Sequence, residues 1–220
     1  MGLVPAGTAN LLARNLDLPL EEDAAVDIAF AEHTRTIDLI KLIVDDRPRE
    51  HFAVIAGIGV DAMIMDETDP DLKDKIGSAA YFLAAAKALG RSPIRLTVQL
   101  DHRPVKRRAM ICAIANVGEL SGNVTLIPGA VPDDGLLELY VASPRRSRRW
   151  VKLGLRLITR RPKKDDQVDQ RSGKVVRVKI HGKDNYQLDG DVVGQGTTLT
   201  AEVQPDALMI CAPADISTTA

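Results

Sequence analysis

Hydrophobic and polar positions follow two patterns along the chain, and the change falls near residue 34. Before it, apolar residues recur at helical spacing, which predicts helices over 10–16 and 19–32. The second helix would begin at Pro19 with an acidic turn that suits the positive end of the helix dipole. Its predicted packing residues are Ala24, Ala25, Ile28 and Phe30.

After residue 34, alternating apolar and polar residues predict about nine short strands. The first two would form a hairpin over 36–58, and a second pair would flank residues 101–104. The predicted strands are 36–44, 51–58, 93–100, 105–116, 136–142, 174–181, 186–188, 199–203 and 208–212. Two further helices are predicted at 71–89 and 145–160. Strands of this length and spacing are typical of an antiparallel β-sandwich or barrel.

The composition is that of a globular protein without a strong charge bias. The 220 residues are 45% hydrophobic and 27% charged, with a formal net charge of -1. This balance argues against a disordered or fibrous chain and against a nucleic-acid coat protein, which would be basic overall. Cys112 and Cys211 have no metal-ligand spacing and predict buried thiols, and no apolar run approaches the roughly 18 residues that span a bilayer. We therefore expect a cytoplasmic protein.

The first segment with candidate chemistry is Leu3-Val4-Pro5-Ala6-Gly7-Thr8-Ala9-Asn10. It reads as a strand end, a glycine turn and a helix start. Thr8 and Asn10 would offer a hydroxyl and an amide where backbone N–H groups and the helix dipole favour a phosphate. Both are also ordinary N-cap residues, and the spacing alone favours capping.

The second segment, Ala56-Gly57-Ile58-Gly59-Val60-Asp61-Ala62, superficially matches a dinucleotide-binding fingerprint. We reject that interpretation, because the strand before it is predicted to pair as a hairpin and not to open a βαβ unit. The glycines more simply allow close approach of the backbone to a neighbouring segment or a ligand.

Two acidic segments follow. Asp133-Asp134-Gly135 places adjacent carboxylates in a Gly/Pro loop, where they suit a hard cation such as Mg²⁺ or a simple turn before a strand. Asp189-Gly190-Asp191 places carboxylates at i and i+2, which in a strand would face one cleft and make one a candidate general base. The alternative is a polar hairpin end.

The order of these motifs is more specific than any one of them. Pro-Ala-Gly-Thr-Ala-Asn at 5–10, the glycines at 57–59, Asn116-Val117-Gly118, the 128–136 loop and Leu-Asp-Gly-Asp at 188–191 resemble the diacylglycerol kinase and sphingosine kinase catalytic family, in particular bacterial soluble lipid kinases. The resemblance implies a β-sandwich domain at 35–206, a helical remnant of an α/β nucleotide-binding domain at 1–34, and a C-terminal strand and tail at 207–220 that pack back on the first domain. It also implies ATP-dependent phosphorylation of a lipid hydroxyl.

The resemblance assigns roles to eight residues. Thr8, with Gly7 and Asn10, would contact the nucleotide phosphates. Asp134 would bind Mg²⁺ through its side chain, and Val131 and Leu136 through their carbonyls. Asp191 would accept the proton of the lipid hydroxyl, helped by Asp189. The family usually has Glu where Asp191 stands, and Asp is shorter by about 1.5 Å.

The family's nucleotide loop, Gly-Gly-Asp-Gly-Thr, does not occur in these 220 residues. Phosphoryl transfer depends mainly on positioning of the phosphates, so we expect the isolated chain to lack ATP turnover.

One basic segment is independent of the resemblance. From Arg145 to Lys164 there are ten basic residues and no acidic one, with the chain's single Trp among them. A basic amphipathic helix there could dock on an anionic membrane or pack on the sandwich with a solvated basic face. The alternative to a kinase is a non-catalytic β-sandwich module for an apolar ligand or an acidic membrane surface.

Overall fold

The computed structural model describes residues 1–7, 9–59, 93–100, 104–120, 124–125, 127–143 and 168–213. The helices predicted at 71–89 and 145–160 lie outside these residues. The helices are α1 (Leu11–Asn15) and α2 (Glu22–Ala29). The strands are β1 (Thr34–Val44), β2 (Glu50–Phe52), β3 (Ile55–Gly59), β4 (Ile94–Leu100), β5 (Val105–Ala109), β6 (Ile111–Ala115), β7 (Glu119–Leu120), β8 (Val124–Thr125), β9 (Leu137–Ala142), β10 (Val168–Gly173), β11 (Val175–Leu188) and β12 (Asp191–Cys211).

Ten of the strands in the described residues belong to one antiparallel sheet. Its order is β10-β9-β6-β3-β11-β12-β1-β2, and β4 pairs with both β11 and β5. Strand β11 changes partner along its length, because Val176 to Ile180 pair with β4 whereas Tyr186 to Leu188 pair with β3. An irregularity in the β11–β12 ladder between Lys179 and Asp184 separates the two halves. Strand β11 therefore pairs with a strand of each layer of the fold.

The two layers enclose a common apolar core. Side chains of β3, β6 and β9 on one side meet those of β1, β4, β11 and β12 on the other, with Tyr186 and Phe52 among its largest members. The predicted fold class, mainly β with an antiparallel sandwich and a helical N-terminal segment, is confirmed. Neither helix in the described part of the chain has the length and apolar character of a transmembrane segment.

The layer of β3, β6 and β9 is buried on both faces. All six residues of β9 are buried: Leu139 and Val141 face the main core, whereas Tyr140 and Ala142 join a second cluster on the other face. Leu11 and Leu12 of α1 pack against that cluster. A strand covered on both faces reads as a continuous apolar run, and β6 and β9 have this pattern.

A third apolar cluster connects the helical segment to the sheet. Ala13, Leu16 and Leu18 pack with Ile37 of β1 and Ile210 of β12. The chain start adds backbone contacts, because the Cys211 N–H donates to the Met1 carbonyl at 2.9 Å. The N-terminal segment and the end of β12 are therefore packed together.

The predicted hairpin over 36–58 is only partly correct. Strand β2 pairs with β1 over three residues, but β3 leaves this pair and lies between β6 and β11. The backbone N–H groups of residues 53–55 bond to the Asp189 carboxylate, which bends the chain at this point. Because β3 is antiparallel to both neighbours, the rejection of a dinucleotide-binding βαβ unit is confirmed.

Other strand boundaries also differ from the predictions. The run 105–116 divides at Met110 into the charged β5, whose side chains alternate between more and less exposed positions, and the apolar β6, which the doubly buried layer requires. The runs predicted separately at 174–181 and 186–188 form the single strand β11, and those at 199–203 and 208–212 lie within β12. The polar β10 was not predicted.

Helix α2 is shorter than predicted. Glu21 is its N-cap and accepts hydrogen bonds from the N–H groups of Asp23 and Ala24. Ala25 is buried, but Phe30 is 87% exposed, so the prediction that Phe30 packs inward is wrong. Phe30 follows the last helical residue as its C-cap and is outside the helical periodicity.

An ion pair joins two terminal strands of the sheet. Arg107 of β5 donates through Nε and Nη2 to Asp169 Oδ2 of β10, at 3.1 and 2.9 Å, and Arg171 donates to the same carboxylate. Burial alone would raise the pKa of Asp169, but the hydrogen bonds and charges of Arg171 and Arg107 outweigh it and lower the pKa. The charged form of Asp169 thus stabilises the contact between the layers.

We expect Asp169→Asn to lower the free energy of unfolding at pH 7 by roughly 0.5–1 kcal/mol, a value that allows for solvent screening of a partly exposed pair. A lowered carboxyl pKa contributes stability above the unfolded value of about 3.9, and this contribution is lost as pH falls through the folded pKa. Urea unfolding should therefore show a difference from wild type at pH 7 that shrinks below about pH 4. Asp27→Asn, at an exposed helical position, is the control. A difference that persists unchanged at low pH would contradict the assignment.

Candidate functional site

Residues 189–191 form the end of the β11–β12 hairpin. Leu188 pairs with Asp191, which leaves Asp189 and Gly190 as a two-residue loop with φ of 49° and 107°. Positive φ at both loop positions is the pattern of a type I′ turn, in which glycine is favoured. The prediction that both carboxylates lie on one side of a strand is therefore wrong, and the hairpin-end interpretation is confirmed.

Asp189 is bonded to the backbone between β2 and β3. Its Oδ1 accepts hydrogen bonds from the N–H groups of Val54 and Ile55 at 2.9 and 2.8 Å, and its Oδ2 accepts one from Ala53 at 3.0 Å. Its own N–H donates to the Ile55 carbonyl at 2.9 Å. These four bonds fix the turn against the neighbouring segment, so Asp189 orients the residues beside it.

Asp191 has a different environment. It is exposed at the first position of β12, and within the part of the chain that the structure describes its carboxylate has no hydrogen bond or ion pair. Next to it, the Gly190 N–H donates to Oε1 of the fully buried Gln187 at 2.8 Å. Asp191 is thus a carboxylate without a bond to the described residues, next to a turn that Asp189 and Gln187 hold by hydrogen bonds.

The predicted metal loop, 131–136, is held by hydrogen bonds of its backbone to Asp38 and by an ion pair with Arg35. Arg35 donates from Nη2 and Nε to Asp133 Oδ2 at 2.7 and 2.9 Å, whereas Asp134 Oδ1 accepts only the local Leu136 N–H at 2.9 Å. The second oxygen of Asp134 has no hydrogen bond among the described residues. The two adjacent carboxylates therefore differ in charge balance: Arg35 neutralises Asp133, whereas Asp134 has no cationic partner among the described residues.

Asp38 of β1 holds this loop by hydrogen bonds from the sandwich side. Its carboxylate is 1% exposed and accepts the Gly135 N–H through Oδ2 at 2.7 Å and the Asp206 N–H through Oδ1 at 2.9 Å. Its own N–H donates to the Pro132 carbonyl at 2.7 Å. Both strands depart from regular pairing here, since the β1–β12 register shifts between Ile37 and Leu39. The irregularity turns Asp38 and Asp206 toward each other.

Asn116 connects the two acidic segments. Its Nδ2 donates to the carbonyls of Asp38 and Ala53 at 2.9 and 3.1 Å. Since the Ala53 N–H donates to Asp189, a continuous series of hydrogen bonds runs from the metal loop through Asp38, Asn116 and Ala53 to the 189–191 turn. The structure thus brings the predicted metal and catalytic segments to one end of the sandwich.

The backbone beside Asn116 approaches a second segment closely. A Cβ at Gly118 would lie 2.4 Å from the Ile127 carbonyl oxygen, so only glycine fits. The Asn116 side-chain oxygen is buried and has no hydrogen-bond partner among the described residues. Packing at this motif is therefore tight, and it leaves one buried acceptor unsatisfied.

The predicted nucleotide turn lies next to this region. The Gly7 N–H donates to Asn10 Oδ1 at 3.0 Å, and Asn10 has a φ of 46° with no side-chain bond to the helix. The Asn10 side chain therefore bonds to the turn that precedes α1 and not to the helix. The prediction that Asn10 caps α1 through its side chain is wrong. Thr8 lies outside the described residues. Asn15 exchanges hydrogen bonds with the Glu119 backbone at 2.9 and 3.0 Å, which holds α1 beside the 116–118 segment.

The donor groups suit a hard cation. Asp134 has a free carboxylate oxygen, and Mg²⁺ typically takes one or two protein carboxylates, further oxygen ligands and several waters. No group of three or more His, Cys, Asp or Glu residues that could hold a metal ion is found in the described ranges, but the predicted set needs only one such side chain. The residues present therefore fit Mg²⁺ at this loop.

Sequence reasoning did not assign roles to Asp38 and Asn116. Asp is depleted in strands, so a lone carboxylate in the apolar run of β1 was the available signal for Asp38. Asn116 stood in a recognised motif, but its two carbonyl partners come from segments 63 and 78 residues away in sequence.

These features define a β-sandwich with an acidic hairpin end and an acidic loop joined beneath the surface. The family described as "YegS C-terminal NAD kinase beta sandwich-like domain" matches residues 53–212, and the "Diacylglycerol kinase catalytic domain" matches residues 1–42. The chain belongs to this family of lipid kinases, and the resemblance inferred from the motif order is confirmed.

Related sequences agree. The chain is 28% identical over 218 residues to a diacylglycerol kinase of Mycobacterium tuberculosis. The aligned region covers 97% of this chain and 69% of the relative. It is 31% identical over 142 residues to a Xanthomonas campestris protein described as "probable lipid kinase YegS-like", covering 64% of this chain and 46% of the relative. It spans 50% of the length of an uncharacterized Synechocystis protein to which it is 25% identical over 223 residues, 99% of this chain.

Solved structures share the fold. A crystal structure of a diacylglycerol kinase from Bacillus anthracis matches with a TM-score of 0.69 at 16% identity, covering 97% of this chain and 66% of that one. A second structure from the same organism gives a TM-score of 0.78 at 18% identity, with 97% and 68% covered.

We expect Asp38→Asn to lower the free energy of unfolding by about 2 kcal/mol, because the new amide group leaves one buried N–H without an acceptor. Asp134→Asn is the matched control, since an exposed Asn can still accept the Leu136 N–H and should cost less than about 0.5 kcal/mol. Denaturant unfolding without divalent cations measures both. Equal losses in the two variants would show that Asp38 is not the anchor.

Proposed function

We propose that the protein acts as part of an ATP-dependent lipid kinase that phosphorylates a lipid hydroxyl of the diacylglycerol or sphingoid type. The observation that carries this proposal is Asp191, an exposed carboxylate that has no partner in the described part of the chain. It lies on a turn that Asp189 fixes by three accepted N–H bonds. Membership of a lipid kinase family supports the same activity. The protein would work in the cytoplasm and contact the membrane peripherally, with 145–164 as one candidate contact.

In the proposed reaction, Asp191 accepts the proton of the lipid hydroxyl while the hydroxyl oxygen attacks the γ-phosphorus of ATP. The bond from that phosphorus to the bridging oxygen breaks, and ADP leaves with the electron pair. Asp189 acts as a positioning residue. Gly7, Thr8 and Asn10 would form the turn that meets the nucleotide phosphates at the start of α1.

Mg²⁺ would be held by the free oxygen of Asp134 and by the Val131 and Leu136 carbonyls, and would order the loop beside the site. The hydrogen bonds of Asp38 to this loop hold it in place from the sandwich side. The nucleotide motif Gly-Gly-Asp-Gly-Thr is not among these 220 residues, so we expect phosphorylation only when that motif is supplied.

We expect Asp191→Asn to reduce kcat by on the order of 100-fold or more, because general-base catalysis contributes about 10²–10⁴-fold. Where the reading frame upstream of the Met1 codon encodes Gly-Gly-Asp-Gly-Thr, the assay uses its whole product with ATP radiolabelled at the γ-phosphate and a diacylglycerol. ATP affinity and thermal stability should not change, because Asp191 has no intramolecular partner in the described residues.

Asp46→Asn, an exposed turn carboxylate outside the 189–191 hairpin end, controls for the loss of one charge. Wild-type kcat in Asp191→Asn would remove the assignment of the base. A frame without the nucleotide motif would instead favour the non-catalytic module.

We expect Asp134→Ala to abolish the rise in melting temperature that Mg²⁺ produces, because a ligand that binds only the folded state stabilises it. The neighbouring Asp133→Ala should retain this rise, since Asp133 is engaged by Arg35. Thermal unfolding with and without Mg²⁺ measures both effects. A Mg²⁺ response that survives Asp134→Ala and disappears in Asp133→Ala would reverse the ligand assignment.

A further inference from the structure

The outer surface of β4, β5 and the first half of β11 is strongly basic. Arg95 of β4, Lys106 and Arg108 of β5, and Arg177 and Lys179 of β11 are all exposed on the face opposite the core. We call these five residues the basic face. The register confirms that they share one side, because Arg95 pairs with Arg108, Thr97 with both Lys106 and Lys179, and Gln99 with Arg177.

The basic face is compact. Strands lie about 4.8 Å apart and alternate residues about 6.6 Å apart, so the five cations occupy an area of roughly 10 by 13 Å. These separations are comparable with the Debye length at physiological salt, about 8 Å, so the charges act together on an approaching surface.

Among the described residues, no carboxylate pairs with these charges. Residues 94–100, 105–109 and 175–181 contain no Asp or Glu. On the adjoining strand, Glu202 pairs with Val175 in the ladder but is engaged by Lys41. Within the described ranges the five side chains have no ion pair. Like charges directly opposite in a sheet, such as Arg95 and Arg108, are destabilising, and an external anion would relieve this repulsion.

An open groove of about 440 Å³ lies at one corner of the basic face. It is lined by Arg95, Leu96, Lys106, Arg107, Arg108 and His181. The His181 ring is held by a hydrogen bond between Nε2 and Thr97 Oγ1 at 2.9 Å. The groove combines several N–H donors with a short apolar floor, which matches a phosphate-bearing headgroup.

We propose that the basic face is a docking surface for an anionic phospholipid membrane. Charge complementarity supports the proposal, because juxtaposed Lys and Arg side chains gain affinity for an anionic bilayer surface. The three strand segments contain no Phe, Tyr or Trp, so the face lacks the stacking groups that single-stranded nucleic acids require. The choice of a membrane rests in part on the proposed function, whereas the charge argument stands without it.

Vesicle binding by the full chain tests the proposal. Co-sedimentation with phosphatidylcholine vesicles that contain phosphatidylglycerol should occur at about 0.1 M salt and weaken strongly at about 1 M, where the Debye length falls to about 3 Å. Phosphatidylcholine alone should not bind. The double variant Lys106→Gln with Lys179→Gln should reduce the partition coefficient by about 25-fold, or about fivefold for each residue.

Arg49→Gln with Lys174→Gln is the matched control. It removes the same charge from two exposed residues outside the strands of the basic face and should leave binding within about twofold of wild type. Loss of binding in the control equal to that in the Lys106 and Lys179 variant would show a net-charge effect and overturn the proposal. Circular dichroism melting confirms that both double variants fold.

A third double variant, Arg149→Gln with Lys152→Gln, separates the basic face from the 145–164 segment. Binding that depends on this pair and is unaffected by Lys106→Gln with Lys179→Gln would overturn the proposal. Tighter binding of a duplex RNA, with the same loss in the face variant, would assign the face to nucleic acid. The kinase proposal is tested separately at Asp191, so either can fail without the other.

Discussion

The arrangement of the site depends on one buried carboxylate. Removing a charge from water is costly unless hydrogen bonds replace its hydration, and Asp38 receives two backbone N–H groups, from Gly135 and Asp206. Its backbone N–H and carbonyl are also used, by Pro132 and Asn116. One residue thus satisfies polar groups of several segments, and none of them can move far without leaving a buried group unpaired.

The same constraint explains why residues far apart in sequence converge at one end of the sandwich. Asn116 shares its two amide hydrogens between the Asp38 and Ala53 carbonyls, and Asp189 binds the N–H groups of the segment that begins at Ala53. The acidic residues therefore have different roles. Asp38 and Asp189 are engaged in the framework, whereas Asp191 and one oxygen of Asp134 have no bond among the described residues. Beneath them, the hydrogen bonds of Asp38, Asn116 and Asp189 hold the segments together, although the buried Asn116 side-chain oxygen has no partner in the described residues.

Strands and helices were largely predictable from sequence because alternation and helical spacing report which side of an element is buried. The order of motifs also identified the family before any geometry was known. Strand partners were not predictable: β3 reads as the second arm of a hairpin, but it pairs with β6 and β11, and the Asp189 contacts with residues 53–55 separate it from β2. Sequence left residues 189–191 open between a strand and a hairpin end, because alternation does not reveal the positive φ of the turn. The role of Asp38 was not predicted, because its hydrogen-bond partners, Gly135 and Asp206, lie 97 and 168 residues away in sequence.

Strand β11 connects the two layers of the sandwich. Its first half pairs with β4 and its second half with β3, and Gly182, with φ of 132°, lies in the irregular stretch between them. The basic face lies on the first half of β11, and the Asp189–Asp191 turn follows the second half. One continuous strand therefore carries both surfaces, and its register against β4 and β3 sets the separation between them.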